Sequence, residues 1–542
     1  MKKIKISAKD ILAFVEKNKN IIIPIVLFLI IALGFFLRFY NIENTPPGVY
    51  PDEAVNGEDA WRAVETGNYQ WFYPANQGRE GLFMNIIAIL FKFFGASILT
   101  LKLPSIIFST LTILGVYLLS KELFKRRDLA LIAAFLTAVA FWSINFGRIS
   151  FRANMLPFVL TFSFYFILRA LRTKKITDGA IGGLFFGLGM HTYIAFRISP
   201  LILLFLLIAF ILSRKDFLKN YWKHFVAFSL AALIIAAPMF YTFYAHPEYF
   251  ESRSDSISIF SPQMNNGNVT ATSIKSFVLS LIKYNFVGDQ NWRHNYPPYP
   301  ILDPLTSLAF LIGIIYAIRP FFQLFRQRIS QKTRNIELEK YTLLIFWFLI
   351  MLAPEFLTAE GLPHALRSIG NLPAVFIIAA MPFAFFIDKY KEKPLNTKKI
   401  AYSLLIVALL AIGIFNSVKY HYFWANKVKT AHSFNKNITD ISKFMRTLPV
   451  NEEKYIITSY NTLERLPIKI FHMEPQNTYL FPNELEKINP ADKNNFLIIF
   501  TERNSDVIKT LQAKFPNLIF EEKIDPRGEE FFDFFVLKQP WQ

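Results

Sequence analysis

The sequence predicts a mostly α-helical, polytopic membrane protein with about eleven spanning helices and a small α/β domain at its C-terminal end. Three observations predict this class. Hydrophobic residues make up 53% of the 542-residue chain, which contains 59 Phe. Apolar runs near the spanning length of ~20 residues recur up to residue 416. The pattern then changes to short mixed segments. The predicted domains are therefore residues 1–416, a transmembrane domain, and residues 417–542, an extracytoplasmic α/β domain.

Eleven apolar runs are long enough to be predicted as spans. In chain order they are residues 21–40, 100–119, 129–147, 154–170, 176–195, 198–212, 223–244, 303–318, 340–358, 368–387 and 399–416. A further run, residues 82–95, is too short to span and carries Lys92, so it is predicted to be an interfacial helix in the first outer loop.

The Lys and Arg clusters alternate between loops when residues 82–95 lie on the surface. The positive-inside rule then predicts a multi-pass protein of the cytoplasmic membrane with a cytoplasmic N-terminus. The segments predicted to lie outside are residues 41–99, 245–302, 359–367 and 417–542. The net charge of +19 is explained by the same rule, because cytoplasmic loops collect Lys and Arg, so no nucleic-acid partner is predicted.

The last 126 residues alternate short strand-like and helix-like patterns. Strands are predicted over residues 454–459, 495–501, 518–522 and 531–537, with helices over 433–447 and 505–515. The chain contains no Cys, which excludes disulfides, thiolate catalysis and Cys-based metal or redox sites.

An acidic run follows the first predicted span. Asp52 and Glu53 lie where the chain leaves the bilayer, a costly position for carboxylates unless they handle a substrate there. A carboxylate can remove a proton from an attacking hydroxyl. The structural alternative is that Asp52 caps the helix predicted over residues 53–65. Glu58 and Glu80 are further acidic candidates in the same outer segment.

Polar and cationic side chains collect at the outer ends of the predicted spans. They are Arg79, Arg148, Arg152, His191, Tyr193, Arg197, His364 and Arg367. Any one of these Arg residues alone is explained by a helix-end side chain that reaches the headgroups. Together they form a set of cations around an acidic pair on one membrane face. Because Arg offers a planar fork for phosphate oxygens, this set suits a phosphate-bearing ligand reached from the outer leaflet.

The same segments resemble a known family. Tyr50-Pro51-Asp52-Glu53-Ala54, Glu58, Trp61-Arg62-Ala63 and Gly67-Asn68 are similar to the first outer loop of the protein O-mannosyltransferase and aminoarabinose transferase superfamily. These are GT-C glycosyltransferases that use polyprenyl-phosphate sugars. The similarity covers roughly residues 20–245 and continues through Phe94-Gly95, residues 101–105, Leu123-Phe124 and residues 146–154.

The resemblance implies a GT-C helical module with interfacial helices on its outer face, and roles for individual residues. Asp52 matches the family's catalytic carboxylate, and Glu53 is its partner. Aminoarabinose-type members carry an Asp in the second outer loop where this chain has residues 148–154, so Arg152 and Asn154 are expected to hold phosphate or sugar instead. Glu80 falls near an acidic residue that helps to bind a metal in the aminoarabinose enzyme, but its second ligand is not matched. No metal site and no cofactor are therefore predicted, and a divalent metal is left open.

The predicted function is inverting transfer of a sugar from a polyprenyl-phosphate donor to a hydroxyl on a protein, glycolipid or wall polymer. Asp52 is the expected general base, and the bilayer is the third partner beside donor and acceptor. One alternative is a transporter or lipid flippase. This alternative predicts ionisable residues near the bilayer midplane and inverted repeats in the sequence. A non-catalytic scaffold is the other alternative, and it leaves Asp52 and the Arg residues unexplained.

Overall fold

The computed structural model describes residues 17–251, 258–265, 267–449, 452–458, 466–471, 477–492, 496–501, 504–524 and 532–538. Two compact units divide the chain. The first, here the helical unit, comprises the chain up to Tyr40, Gln77–Leu82 and Ser105–Tyr420. The second, here the mixed unit, comprises Asn41–Asn76, Phe83–Pro104 and the chain from His421 onwards. The domain boundary after residue 416 stays a prediction.

Helices dominate the described chain up to residue 445. Numbered along the chain, they are α1 Lys19–Phe39, α2 Pro51–Thr66, α3 Leu82–Phe94, α4 Ile98–Phe124, α5 Arg127–Val139, α6 Phe141–Gly147, α7 Met155–Thr173, α8 Ile176–Leu188, α9 Pro200–Ser213, α10 Phe217–Ala245, α11 Glu248–Glu251, α12 Pro262–Asn265, α13 Val269–Ile282, α14 Pro304–Ser330, α15 Glu337–Phe356, α16 Leu372–Lys391, α17 Leu395–Val418, α18 Val428–Ser433 and α19 Lys436–Met445.

The remaining elements are short helices and strands. The helices are α20 Leu466–Phe471 and α21 Ser505–Lys514, and the strands are β1 Phe72–Tyr73, β2 Arg79–Glu80, β3 Glu453–Ile457, β4 Asn477–Leu480, β5 Phe496–Phe500, β6 Ile519–Ile524 and β7 Phe532–Lys538. Short 3₁₀ turns lie at Arg152–Asn154, Gly189–His191, Ile194–Ile198, Ile369–Asn371 and Leu485–Lys487.

Within the described residues, eight helical segments are long and apolar enough to cross a membrane, and the bent pair α5–α6 makes a ninth. The predicted class is confirmed, but the count of eleven is not. The predicted span 176–195 is interrupted, because α8 has 13 residues and a 3₁₀ turn follows it. The predicted span 340–358 corresponds to α15, which carries Glu337, Glu339, Lys340 and Glu355 and so fails as an apolar segment. The short apolar run 82–95 forms α3, a helix of 13 residues.

The break between α5 and α6 shows how irregular backbone is stabilised inside the helical unit. The two helices meet at 58°, which leaves carbonyls at the end of α5 without helical partners. The fully buried Arg38 fills this gap by donating to the carbonyls of Ala138 (2.9 Å) and Thr137 (3.3 Å) and to Ser143 Oγ (2.6 Å). Non-helical backbone at membrane depth requires such internal partners.

Small residues allow α8 and α10 to pack closely. Gly179, Gly183 and Gly187 repeat every four residues along one face of α8. A Cβ at Gly183 would lie only 2.0 Å from the carbonyl oxygen of Phe228 on α10. Backbones of membrane helices approach this closely only through small side chains, so glycine is required at this position.

The C-terminal part of the mixed unit is an α/β layer structure, as predicted. Its five described strands follow the order β4-β3-β5-β7-β6, with β3 parallel to both β4 and β5, and β7 antiparallel to both β5 and β6. One face of the sheet packs against α21 through Val507, Ile508 and Leu511. The other face packs against α19 through Ile438, Ile441 and Met445.

The four predicted strands correspond to β3, β5, β6 and β7, shifted by one or two residues at their ends. The predicted end positions Ser459, Asn495 and Phe531 lie outside the described residues. The helix predicted over 433–447 begins later, as α19, and the helix over 505–515 is α21. The strand β4 and the helix α20 were not predicted.

Candidate functional site

The acidic run forms the first turn of α2 in the mixed unit. Pro51 occupies the first helical position and Tyr50 is the N-cap residue. The buried Glu53 accepts a hydrogen bond from the Tyr50 backbone N–H at 3.3 Å, which is one half of a capping box. Asp52 is half-buried, and its Oδ1 accepts a hydrogen bond from Asn76 Nδ2 at 2.6 Å. Glu53 therefore caps α2. This contact removes the main support for interpreting Asp52 as the helix cap.

Glu58 lies one and a half turns further along α2. Its Oε1 pairs with Lys469 Nζ at 2.9 Å and with Arg62 at 3.3 Å. Both contacts lie inside the mixed unit. Because Lys469 and Arg62 are largely exposed, these pairs contribute little stability.

The helical unit brings several of the predicted residues together around a buried ion pair. Glu80 Oε2 lies 2.6 Å from Arg152 Nε, and the two side chains are 4% and 8% exposed. The Arg152 guanidinium also lies 5.6 Å from the centre of the Tyr193 ring. Arg79, next to Glu80 on β2, is buried as well.

Two further predicted residues near this pair contact backbone carbonyls. The ring Nε2 of His191 lies 2.8 Å from the carbonyl oxygen of Ile235. Asn154, at the end of the 3₁₀ turn, donates from Nδ2 to the carbonyl of Ser105 at 2.8 Å. Their predicted contacts with phosphate or sugar stay predictions.

Arg148 satisfies backbone carbonyls at the end of α1. Its guanidinium donates to the carbonyls of Leu37 (2.8 Å) and Tyr40 (2.7 Å) and lies 5.5 Å from the centre of the Tyr420 ring. The side chain is fully buried. The last carbonyls of a helix have no intrahelical partner, so this geometry favours a stabilising role for Arg148.

Arg197 and Arg367 line one pocket of the helical unit, with a volume of about 380 Å³. Most of its lining is apolar, and the polar part comes from Tyr193, Ser258 and Thr358 in addition to the two Arg. The Arg197 guanidinium lies 4.8 Å and 4.4 Å from the ring centres of Phe243 and Phe250, and it donates to the Phe250 carbonyl at 2.8 Å.

The two Arg of this pocket differ in their anionic partners. Arg367 donates to Glu360 Oε2 at 2.7 Å and to Thr358 Oγ1 at 2.7 Å. Among the described residues, Arg197 forms no ion pair with a carboxylate within contact distance. The pocket thus combines an apolar surface with two guanidinium groups, the arrangement expected for a ligand with an apolar tail and an anionic head.

His364 joins a group that sequence reasoning missed. One ligating atom from each of Asp289, His294 and His364 lies within 4.8 Å of the others. Glu80 is not a member of this group, which is the candidate metal-binding cluster formed by the described residues. The sequence gives one signal for this group, because all three residues lie in segments predicted to be on the outer side of the membrane.

A second group not found from sequence borders this cluster. Lys283 is fully buried and contacts Glu355 Oε2 and Ser368 Oγ. Burial lowers the pKa of Lys283, and the Asp289 carboxylate acts in the opposite direction.

Comparison with known proteins agrees with this architecture. The family model of dolichyl-phosphate-mannose-protein mannosyltransferases matches residues 82–241. A search of curated protein sequences found no significant match. Among solved structures, apo ArnT from Cupriavidus metallidurans has a TM-score of 0.55 at 12% identity, covering 94% of this chain and 97% of ArnT.

Two complexes are also similar. ArnT from the same organism, bound to undecaprenyl phosphate, has a TM-score of 0.51 at 12% identity and covers 94% of this chain and 97% of ArnT. The archaeal oligosaccharyltransferase AglB from Archaeoglobus fulgidus, in complex with an inhibitory peptide and a dolichol-phosphate, has a TM-score of 0.51 at 15% identity. It covers 93% of this chain and 70% of AglB.

ArnT and AglB share one membrane-protein fold, the GT-C fold. This chain has that fold, as the resemblance of its first outer loop predicted. Its stretch from α3 into α10 matches the mannosyltransferase family.

Proposed function

We propose that this protein is a membrane glycosyltransferase that transfers a sugar from a polyprenyl-phosphate donor to an extracytoplasmic hydroxyl, with inversion. The observation that carries the proposal is the pocket lined by Arg197 and Arg367. An apolar wall suits a prenyl chain, and guanidinium groups suit a phosphate. The family match and the lipid phosphates bound by ArnT and AglB support the same ligand class.

Glu360 is an anionic partner of Arg367 that another anion can replace. Its carboxylate pairs with Arg367, and its side chain is 58% exposed. The exposed carboxylate can turn into solvent, but Arg367 is only 7% exposed, so its guanidinium then needs another anion, because an unpaired buried charge is costly. We therefore propose that the donor phosphate replaces Glu360 as the partner of Arg367, while Arg197 supplies the second fork.

The proposed reaction is a single displacement. Asp52 accepts the proton of the acceptor hydroxyl as the acceptor oxygen bonds to the anomeric carbon. The bond between that carbon and the phosphate oxygen breaks, and polyprenyl phosphate leaves with the bonding electrons. Because charge develops on the leaving phosphate, cations that contact this phosphate would contribute most in the transition state.

The proposal includes an orientation in the cytoplasmic membrane. The N-terminus is cytoplasmic, and residues 41–99 and 417–542 are outside, since this arrangement follows the Lys and Arg clusters. Asp52 then lies on the side where a lipid-linked donor from the outer leaflet and an extracytoplasmic acceptor are available.

Binding of undecaprenyl phosphate to the purified full-length protein in nanodiscs tests the ligand class. Undecaprenol, which lacks the phosphate, is the matched probe. We expect undecaprenyl phosphate to bind at least about 10-fold more tightly, because a charge-assisted contact is worth roughly 1.5–3 kcal/mol. Arg197→Lys and Arg367→Lys should each weaken binding, and Glu360→Gln should strengthen it.

Arg319→Lys is the control variant, since Arg319 is an exposed residue of α14. It should bind undecaprenyl phosphate like the wild type. Equal affinity for undecaprenyl phosphate and undecaprenol would overturn the proposed ligand class. Unchanged binding in both pocket variants would overturn the pocket assignment.

A further inference from the structure

Two loops of the helical unit meet at a cluster of potential metal ligands. Asp289 and His294 lie in the loop between α13 and α14, and His364 lies in the loop between α15 and α16. One carboxylate oxygen and one nitrogen from each imidazole lie within 4.8 Å of one another. We propose that Asp289, His294 and His364 bind one divalent transition-metal ion.

The spacing of the three groups suits a small coordination shell. Asp289 Oδ2 lies 3.0 Å from His294 Nδ1, and the two imidazole ring centres are 4.8 Å apart. Zinc binds nitrogen and oxygen ligands at about 2.0–2.2 Å, so ligands in a tetrahedral site lie roughly 3.4 Å apart. The Asp289–His294 pair is close to this spacing, and a ligating nitrogen of His364 lies within 4.8 Å of both ligand atoms.

The backbone orients the Asp289 carboxylate. Its Oδ1 accepts the N–H of Asn291 at 2.8 Å, and its Oδ2 accepts the N–H of Ala365 at 2.7 Å. Asn295 Nδ2 donates to the Asp289 carbonyl at 3.1 Å. Such outer contacts fix the direction of a ligating carboxylate and are typical of metal sites. The Ala365 contact also joins the two loops before any metal binds.

Burial and charge agree with a bound cation. Asp289 is 1% exposed and His294 is 5% exposed, whereas His364 is half-buried and provides access from one side. A buried carboxylate requires a compensating partner. Without metal, a hydrogen bond between Asp289 Oδ2 and His294 Nδ1 supplies it. With metal, Nδ1 would bind the ion and the proton of the neutral imidazole would be on Nε2, because ligating imidazoles are neutral.

The ligand types select the metal class. Two imidazoles and one carboxylate favour Zn²⁺ and neighbouring first-row ions, whereas Mg²⁺ and Ca²⁺ prefer oxygen ligands. Three protein ligands leave a coordination position for water. The ion would tie together two loops, one of which carries Arg367 three residues after His364. It would therefore act by positioning that loop, independently of whether the protein transfers sugars.

Zinc binding by the full-length protein tests the site. The protein carries a purification tag without His, is stripped with EDTA, and is titrated with ZnCl₂ against a fluorescent zinc competitor. Metal content is measured by mass spectrometry after dialysis. We expect one zinc per chain and a rise in the melting temperature with zinc. Asp289→Asn and His364→Gln should weaken zinc affinity by more than about 100-fold, since changes outside the ligand shell already cost 10–100-fold.

His246→Gln is the matched control, because its imidazole is 52% exposed and pairs with Glu248 away from the cluster. It should bind zinc like the wild type. If Asp289→Asn fails to fold, the zinc affinity of His364→Gln tests the proposal, because the half-buried His364 tolerates substitution better than the buried Asp289. A wild type that retains no zinc overturns the proposal, as does a His364→Gln protein with unchanged zinc affinity.

Discussion

The buried Glu80–Arg152 pair should be a strong internal contact. With side chains only 4% and 8% exposed and 2.6 Å between Oε2 and Nε, Glu80→Gln leaves a buried guanidinium without its counter-charge. Breaking such a pair costs about 3–5 kcal/mol. The Tyr193 ring, 5.6 Å from Arg152, remains beside the guanidinium as a cation–π partner, a contact worth about 2 kcal/mol when it is desolvated. We therefore expect Glu80→Gln to lower the free energy of unfolding by about 3 kcal/mol, the lower end of this range.

A double-mutant cycle measures this pair. The free energy of unfolding is determined in mixed micelles by SDS titration for the wild type, Glu80→Gln, Arg152→Gln and the double variant. The double variant should be more stable than the sum of the single losses predicts, by roughly 1–3 kcal/mol. Arg62→Gln, which removes a surface pair with a 64% exposed Arg, is the control and should change stability by less than about 1 kcal/mol. Additive losses, or a single loss below about 1 kcal/mol, would refute the strong coupling.

Three further outcomes are expected. Arg148→Lys should lower the melting temperature and leave undecaprenyl phosphate binding unchanged, since Arg148 contacts carbonyls of the protein; weakened lipid binding at full stability would contradict this role. Glu53→Ala should cost about 0.5–2 kcal/mol in unfolding free energy, whereas Glu53→Gln keeps the cap and should cost less; equal losses would argue against capping. In intact cells, an impermeant thiol reagent should label Ser505→Cys but not Ser330→Cys, and the reverse pattern would invert the proposed topology.

The helices were the part of the fold that the sequence could predict. Runs such as the one that forms α3 carry their apolar pattern locally, so their existence and approximate length follow from composition. The count of eleven spans is not confirmed, for local physical reasons. A 3₁₀ turn follows α8 at Gly189, and the predicted span 340–358 carries Lys340 and Glu355 near its ends, so neither makes an uninterrupted apolar segment.

The sheet and the polar contacts were less accessible to sequence reasoning. The strand β4 has four residues and a partly exposed pattern, so it lacks the apolar run that identified β5. The Glu80–Arg152 pair joins residues 72 positions apart, and the loops of Asp289 and His364 meet only in the folded chain. Sequence could name Glu80, Arg152 and His364 as candidates, but their partners depend on tertiary packing.

Asp52 is the residue on which the enzymatic account depends most directly. The measurement is sugar transfer by the purified full-length protein in nanodiscs, supplied with radiolabelled undecaprenyl-phosphate sugars and acceptors from membrane extract. Asn keeps an oxygen that can accept the Asn76 Nδ2–H hydrogen bond, so Asp52→Asn should fold and bind undecaprenyl phosphate like the wild type. It cannot take up the acceptor proton, so transfer should fall by about 10²–10⁴-fold. Near wild-type transfer by Asp52→Asn would contradict the general-base assignment and, with it, the proposed mechanism.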